Sequence, residues 1–293
     1  MENKKIIEAG KIAQEIKKWI KPFIKKGTSL LEIAEKIESK IIELGGKPAF
    51  PTNLSINEIA AHYTPSYNDE NLAHGLLKID FGIHIDGWIS DTAFSIDLEN
   101  SNENKKLIEA SEKALKRAEE TIKKGITTSE IGKAIQKEIE SHGFSPIINL
   151  SGHQIEQYDL HVGLNIPNIN DKRNTLINPG LYAIEPFVTN GNGKVNDGKP
   201  SGIYSLVEYK NVRNPIAREI LEYIAEEYSQ LPFCTRWLVK KFGTKALIGL
   251  RQLEQNGNLH QYPQLIESGK GIVAQSENTV LIEENGKKIV TTE

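Results

Sequence analysis

The sequence predicts an α+β fold built from two pseudo-symmetric halves, with a helical segment inserted into the second half. Residues 25–48 and 123–146 are similar to each other, each starting Lys-Lys-Gly and ending Gly-x-x-Pro. Strand-like sequence follows each copy, whereas the helix-like residues 214–256 have no counterpart in the first half. Because two copies are too few for a solenoid, a single two-halved domain is the better interpretation.

Each repeated segment predicts an amphipathic helix. A Ser or Thr precedes the apolar pattern, as at a helix N-cap, and a glycine follows it, as at a helix stop. In both copies isoleucine recurs at every fourth position (Ile33, Ile37 and Ile41; Ile131, Ile135 and Ile139). Another amphipathic helix is predicted before each copy, at about 4–24 and 103–123.

Three regions have the alternating pattern of β-strands. Residues 76–94 alternate around Asp86-Gly87, a strong signal for a hairpin with a two-residue turn. Residues 181–186 follow the turn Asn-Pro-Gly, and residues 272–282 precede a short final strand at 289–291. Strands of both halves are therefore expected to lie against the predicted helices.

Composition excludes several classes of protein. Lys and Arg number 36 against 39 Asp and Glu, a net charge of −3 that argues against a strongly basic nucleic-acid-binding protein. Cys234 is the single cysteine, so an intrachain disulfide and a cysteine-based zinc site are excluded. The charged first residues do not resemble a signal peptide, and there is no apolar run of about 18 residues. We therefore expect a cytoplasmic protein without membrane or nucleic-acid partners.

The hairpin places two acidic residues together. With Asp86 and Gly87 as the turn, Gly82 pairs with Asp91, so that Asp80 and Asp91 share one face with Cα atoms ~7–8 Å apart. Gly82 lies between them and leaves a gap that has no side chain. Two carboxylates at this separation can converge on a pair of metal ions. A solvated polar face explains the hairpin equally well, so further residues must decide.

Further acidic and imidazole groups favour a metal site. Glu185 ends an Ala-Ile-Glu segment in the second half, at the position matching Asp80 in the first. Glu277 lies in a third strand-like run, and His153 follows a glycine, with His161 eight residues later. Four carboxylates and one imidazole form a hard, oxygen-rich ligand set that can bridge two divalent ions. The sequence therefore predicts a site for metal-dependent hydrolysis.

These residues resemble the five-ligand dinuclear site of the pita-bread metallopeptidases, the family of methionine aminopeptidases, aminopeptidase P, prolidase and creatinase. The resemblance extends over essentially the whole chain and is closest to archaeal-like type 2 methionine aminopeptidases. The matching motifs are Ala-Ala-His62-Tyr-Thr-Pro, Lys-Ile-Asp80-Phe-Gly, Ser-Asp91-Thr-Ala, Ser-Gly-His153, Leu-His161-Val-Gly, Tyr-Ala-Ile-Glu185-Pro-Phe and Pro-Phe-Cys-Thr-Arg-Trp-Leu-Val at 232–239.

The resemblance implies a fold and a domain organisation. The pita-bread fold is an antiparallel sheet covered by two pairs of helices. Residues 1–190 and 253–293 would form the catalytic domain, and residues 191–252 the helical insert subdomain of type 2 enzymes.

The resemblance also implies an activity: removal of the N-terminal methionine from nascent proteins and peptides with a small second residue, by attack of a metal-bridging hydroxide on the first peptide bond. Two divalent ions (Co, Mn, Fe or Zn) would be held by Asp80, Asp91, His153, Glu185 and Glu277. The catalytic residues would be His62, His161 and Glu185, and the substrate pocket would consist of Phe50, His62, Leu160, His161, Phe187 and Tyr262. A monomer acting on nascent polypeptides, with ribosome contact, is the corresponding expectation.

One departure and two rival functions stay open. The family usually has His after the last glutamate, where this chain has Asn278; strand alternation directs that side chain away from Glu277, so it is not expected to be a ligand. A proline-specific pita-bread peptidase is one rival, but such enzymes carry a substantial N-terminal domain. A non-catalytic pita-bread binding protein is the other, although all five ligand positions hold competent residues.

Overall fold

A computed structural model of the protein describes residues 2–293. The first half comprises α1 (Glu2–Ile20), α2 (Leu30–Glu43), β1 (Lys47–Pro48), β2 (Asn53–Ile56), β3 (Ile59–Ala61), β4 (Leu76–Ile85) and β5 (Trp88–Asp97). The second half begins with α3 (Asn102–Thr121), α4 (Thr128–Ser141), β6 (Ser145–Pro146), β7 (Ser151–Glu156), β8 (Asp159–Pro167), β9 (Gly180–Ile184) and β10 (Phe187–Thr189). It continues with β11 (Val195–Leu206), α5 (Pro215–Glu227), β12 (Phe233–Cys234), α6 (Thr235–Phe242), α7 (Lys245–Gln255), β13 (Leu259–Glu267), β14 (Val273–Gln275), β15 (Asn278–Ile282) and β16 (Lys288–Val290).

The repeated sequence forms equivalent helices in the two halves. Both α2 and α4 have 14 residues and begin after a capping side chain, Ser29 or Thr127, that accepts a backbone N–H three residues later. The predicted isoleucine rows are buried in separate apolar clusters, against β4 in the first half and against β9 and β15 in the second. Burial of each such side chain stabilises the fold by roughly 1.5–3 kcal/mol. The two-halved arrangement is thus observed.

The central hairpin has the predicted register. Strands β4 and β5 pair antiparallel with Gly82 opposite Asp91 and Asp80 opposite Ala93. Asp86 and Gly87 form the turn with φ of 49° and 82°, both in the left-handed region that a two-residue turn of this kind requires. The prediction that Asp80 and Asp91 share one face is therefore confirmed.

A backbone bridge joins the two halves at their centre. Ala93 on β5 and Glu277, between β14 and β15, exchange N–H···O hydrogen bonds of 2.9 and 3.3 Å. On the other side, β15 continues a five-stranded sheet in the order β16-β15-β9-β7-β8. Acidic residues of both halves are thereby brought to one place.

The predicted insert has its own apolar core. Helices α5, α6 and α7 pack around a separate cluster of buried side chains drawn from residues 204–259. Strand β11 pairs with β13, which continues to β3 of the first half. The β-structure that includes β11 of the insert therefore continues past residue 252, in β13. The boundaries of the insert at residues 191 and 252 stay a prediction. Among residues 2–293, no helix is both long and apolar enough to cross a bilayer.

The side chain of Glu267, at the end of β13, forms hydrogen bonds with the backbone of two loops. Its fully buried carboxylate accepts backbone N–H groups of Gly193 (3.1 Å), Gly269 (2.7 Å) and Gly271 (2.8 Å). In Glu267→Gln, an amide NH₂ faces N–H donors, and we expect the free energy of unfolding to fall by about 2 kcal/mol. Urea denaturation measures this; Glu284→Gln, whose side chain is 92% exposed, is the matched control. Equal midpoints for Glu267→Gln and the wild type would contradict this role.

Candidate active site

All eleven residues predicted from the sequence line one cavity of about 240 Å³, namely Phe50, His62, Asp80, Asp91, His153, Leu160, His161, Glu185, Phe187, Tyr262 and Glu277. Asp80 and Asp91 project from the β4–β5 hairpin, and the β7–β8 pair contributes two histidines and a leucine. Glu185 directly follows β9, and Glu277 lies between β14 and β15. The fold therefore brings the predicted residues together, whereas their chemical roles stay predictions.

Three of the predicted metal ligands form a compact buried cluster. Potential ligand atoms of Asp91, His153 and Glu277 all lie within 4.8 Å of one another. The exposed fractions of these residues are 3%, 4% and 2%. His153 Nε2 lies 3.7 Å from Asp91 Oδ2 and 3.8 Å from Glu185 Oε1. These distances fit a shared cation better than direct hydrogen bonds.

Gln275 is a member of the site that the sequence did not single out. Its Nε2 lies 3.4 Å from each of three acceptors, Asp80 Oδ2, Glu185 Oε2 and Glu277 Oε2, which share its two hydrogens. The available signal was its position two residues before Glu277, because residues at this spacing share one face of a strand. Gln275 thus connects carboxylates that derive from three separate parts of the chain.

The electrostatics of the cluster call for a cation. Asp80 Oδ1, Asp91 Oδ1 and Glu277 Oε1 are buried and have no hydrogen-bond partner among residues 2–293. Burial raises the pKa of Asp80 to about 7, and burial together with the neighbouring carboxylates raises the pKa values of Asp91 and Glu277 well above their usual range. Within the described part of the chain, no Lys or Arg lines the cavity. Carboxylate oxygens and an imidazole nitrogen suit a divalent metal, so these residues fit one.

The imidazole of His153 is in the state that a ligand needs. Burial, and secondarily the neighbouring His161 ring with its centroid 4.3 Å away, lower the pKa of His153 well below its usual value. The ring is therefore neutral at pH 7 and keeps a lone pair.

His62 is held in an unusual backbone conformation. Its φ of 63° lies in the left-handed region, which is costly for a residue with a Cβ and often marks a functional position. The Nδ1 atom lies 3.2 Å from the carbonyl oxygen of Pro263, and the ring packs edge-on against Tyr262 with centroids 5.7 Å apart. When Nδ1–H donates to Pro263, Nε2 is left as an acceptor.

The space above Gly82, which has no side chain of its own, is occupied by the ring of Phe50. A Cβ built on Gly82 would lie 2.4 Å from Cε1 of Phe50 and 3.1 Å from Cβ of Ala49. The edge of the Phe50 ring therefore occupies the space that a larger residue 82 would need. Gly82 fixes the position of one cavity wall.

We expect Gly82→Ala to displace the Phe50 ring, because a Cβ contact of 2.4 Å cannot be tolerated. Overpacking of this kind lowers stability by about 1–3 kcal/mol. Thermal denaturation measures the loss, and a crystal structure of the variant shows the ring. The double variant Gly82→Ala/Phe50→Leu is the control and should recover part of the stability; no difference between Gly82→Ala and the wild type would refute the steric account.

Comparison with known proteins assigns a family. The profile described as metallopeptidase family M24 matches residues 4–284. The chain belongs to family M24. It is 47% identical over 290 residues to the methionine aminopeptidase of Methanocaldococcus jannaschii, covering 98% of this chain and 97% of that protein.

Solved structures share the fold of this M24 protein. The structure of a thermophilic Arx1 is similar with a TM-score of 0.83 at 16% identity, covering 98% of this chain and 90% of that one. The methionine aminopeptidase of Thermotoga maritima is similar with a TM-score of 0.70 at 21% identity, covering 99% and 96%. The predicted pita-bread α+β fold is thereby confirmed. As an M24 metallopeptidase, the chain has a buried Asp/His/Glu cluster compatible with a metal site.

Proposed function

We propose that this M24 metallopeptidase removes the N-terminal methionine from nascent proteins and peptides with a small second residue. The observation that carries the proposal is the 47% identity to a methionine aminopeptidase over nearly the full length of both chains. The common cavity of the eleven predicted residues supports it, since the side chains that this reaction needs are within reach of one bound peptide.

We propose two divalent ions, Co, Mn, Fe or Zn, as the cofactors. Asp80, Asp91, His153, Glu185 and Glu277 would hold these ions. Ions held there would lower the pKa of water and polarise the first peptide carbonyl. The unpartnered carboxylate oxygens of the cluster support this assignment.

Glu185, His62 and His161 would act on the reacting atoms. Burial and the charges of Asp80 and Asp91 raise the pKa of Glu185, which favours its taking up a proton and passing it to the leaving amine. His62 and His161 would hydrogen-bond the substrate amide and the carbonyl oxygen as negative charge develops there. Burial lowers the pKa of His62, so this ring is neutral at pH 7, and with Nδ1–H donated to Pro263 its Nε2 can accept a hydrogen bond from the substrate amide.

The other lining residues would select the first side chain. Phe50, Leu160 and Phe187 are buried, and with Tyr262 and the two histidines they give the cavity an apolar, aromatic wall. An unbranched, polarisable thioether suits such a wall. A cavity of about 240 Å³ has room for one side chain with the reacting peptide unit.

Peptide hydrolysis tests the proposed function. With each of Co, Mn, Fe and Zn, we expect Met-Ala-Ser to be cleaved and Leu-Ala-Ser to be cleaved much less, because a γ-branched side chain fits the pocket poorly. Cleavage of X-Pro dipeptides without cleavage of Met-Ala-Ser would favour the proline-specific peptidase. A protein that binds none of these metals and cleaves neither peptide would be the non-catalytic binding protein.

The wider setting of the enzyme is also a proposal. We propose that residues 1–190 and 253–293 form the catalytic domain and residues 191–252 the type 2 insert. A monomer acting in the cytoplasm, in contact with the ribosome, would meet nascent chains as their N-termini emerge. Cosedimentation of the purified protein with ribosomes tests this contact.

A further inference from the structure

A buried ion pair joins the insert to the first half, away from the metal ligands. Arg236 in α6 donates from Nη1 to Glu38 Oε2 (2.6 Å) and from Nη2 to Glu38 Oε1 (2.9 Å). The exposed fractions of the two residues are 4% and 6%. This two-point contact fixes the relative orientation of α6 and α2, which a single-point lysine contact would not do.

The same two side chains hold the segments that carry two pocket residues. Glu38 Oε1 accepts the backbone N–H of Thr52 (3.2 Å), two residues after Phe50. Arg236 Nε donates to the carbonyl oxygen of Pro65 (3.1 Å), three residues after His62. Both segments line the candidate active site through Phe50 and His62, although the ion pair itself does not line that cavity.

Glu38 and Arg236 each make one further contact with a neighbouring side chain. Trp237 Nε1 donates to Glu38 Oε2 (2.8 Å), and Arg236 Nη2 lies 3.4 Å from Thr64 Oγ1. The buried Glu38 carboxylate accepts from four donors, and the buried Arg236 guanidinium donates to a carboxylate and a carbonyl. Few other side-chain conformations would satisfy all of these hydrogen bonds. Segments 50–52 and 62–65 are thus both hydrogen-bonded to the Glu38–Arg236 ion pair, which joins α2 to the insert.

We propose that Glu38 and Arg236 are positioning residues for the methionine pocket, setting its side-chain selectivity by fixing Phe50 and His62 through Thr52 and Pro65. This inference rests on the proposed function for its substrate. It assigns the insert a task in specificity, because the Arg236 guanidinium of α6 holds Pro65 directly and holds Thr52 through Glu38.

A second ion pair between the first half and the insert provides the matched control. Lys47 in β1 contacts Glu227 in α5 at 2.8 Å, with side-chain exposures of 58% and 38%. It also connects the first half to the insert, but it makes no hydrogen bond to segment 50–52 or 62–65. If the Glu38–Arg236 pair only attached the insert to the first half, its loss would have the same effect as loss of the Lys47–Glu227 pair.

The test measures kcat and KM for Met-Ala-Ser and Leu-Ala-Ser in Arg236→Lys, Trp237→Phe and the control Lys47→Gln. For Arg236→Lys we expect KM for Met-Ala-Ser to rise about tenfold and the preference for Met over Leu to fall several-fold. Trp237→Phe, which keeps the ion pair and is the milder variant, should raise KM two- to threefold. Lys47→Gln should stay within twofold of the wild type in all values.

Hydrogen exchange of the Thr52 amide is measured in parallel and needs no substrate. We expect faster exchange at Thr52 in Arg236→Lys and Trp237→Phe, and wild-type exchange in Lys47→Gln. Equal losses of kcat for both peptides, with unchanged KM, preference and Thr52 exchange, would overturn the inference, since they indicate only a smaller folded fraction. If the wild type cleaves neither peptide, the proposed function fails, while Thr52 exchange still decides whether the pair holds this segment.

Discussion

Asp91→Asn is expected to lower kcat/KM for Met-Ala-Ser by about a thousandfold or more, without destabilising the metal-free protein. We expect this fall because an amide is a weaker ligand for a divalent ion than the carboxylate proposed to hold it, and loss of ~4 kcal/mol of transition-state stabilisation corresponds to this factor. Stability is maintained or increased because Asp91 is 3% exposed beside other carboxylates, and burial and the Asp80 charge raise its pKa well above the usual range, so asparagine removes the cost of burying an ionisable group there. A residue that served stability alone would show the opposite pattern.

Two measurements and one control examine this variant. Activity is measured at saturating Mn, and urea unfolding is measured in the presence of a chelator. Asp86→Asn is the matched control, since Asp86 lies in the turn of the same hairpin with a side chain 68% exposed, and asparagine tolerates its positive φ. We expect wild-type activity from Asp86→Asn. An Asp91→Asn enzyme with a tenth of the wild-type activity, or one that is strongly destabilised without metal, would contradict our account.

The metal-free protein is expected to lose stability through Asp80 as the pH rises from about 4 to 7. Burial raises the pKa of Asp80 from 3.8 to about 7, so between these values the folded state keeps a proton that the unfolded state releases. Stability from this group is therefore complete below pH 4 and lost as the pH rises through 7. The loss amounts to roughly 4 kcal/mol at most. A divalent ion should reverse the trend, because it binds the deprotonated carboxylates.

Comparison with Asp80→Asn measures the contribution of Asp80 together with the effect of its charge on Asp91, Glu185 and Glu277, whose pKa values it raises. The unfolding free energy of each protein is measured by urea denaturation at pH 5 and pH 7.5, with chelator and with Mn. We expect the metal-free wild type to fall relative to Asp80→Asn between the two pH values, and Mn to stabilise the wild type more at pH 7.5. Parallel behaviour of the two proteins without metal would show that Asp80 titrates normally.

Local sequence rules predicted the part of the site that depends on the hairpin. Asp86-Gly87 specifies a two-residue turn, and the turn fixes the register, so Asp80 and Asp91 could be placed on one face. The same alternation predicted that Asn278 faces away from the cavity. Its side chain indeed accepts from Lys17 Nζ (3.1 Å) and donates to Glu119 (2.8 Å), contacting α1 and α3 behind the sheet.

Contacts that depend on how distant segments pack could not be predicted in this way. The ring of Phe50 fills the space over Gly82 because β1 and the residues after it pack against β4, which no local pattern encodes. Arg236 meets Glu38 only because the insert docks on α2. For Glu185 and Glu277, their occurrence in strand-like segments suggested a metal site. The resemblance to the pita-bread family then implied that both residues are among the five ligands. Chain topology then brought these residues to one cavity.

The central claim is that Asp80, Asp91, His153, Glu185 and Glu277 together hold divalent ions, and anomalous diffraction from a manganese-soaked crystal tests it most directly. We predict two anomalous peaks within coordination distance of these side chains, with Asp91 and Glu277 contacting both. Manganese bound only elsewhere on the protein, with no peak among the five residues, would contradict the claim and with it the proposed peptidase activity.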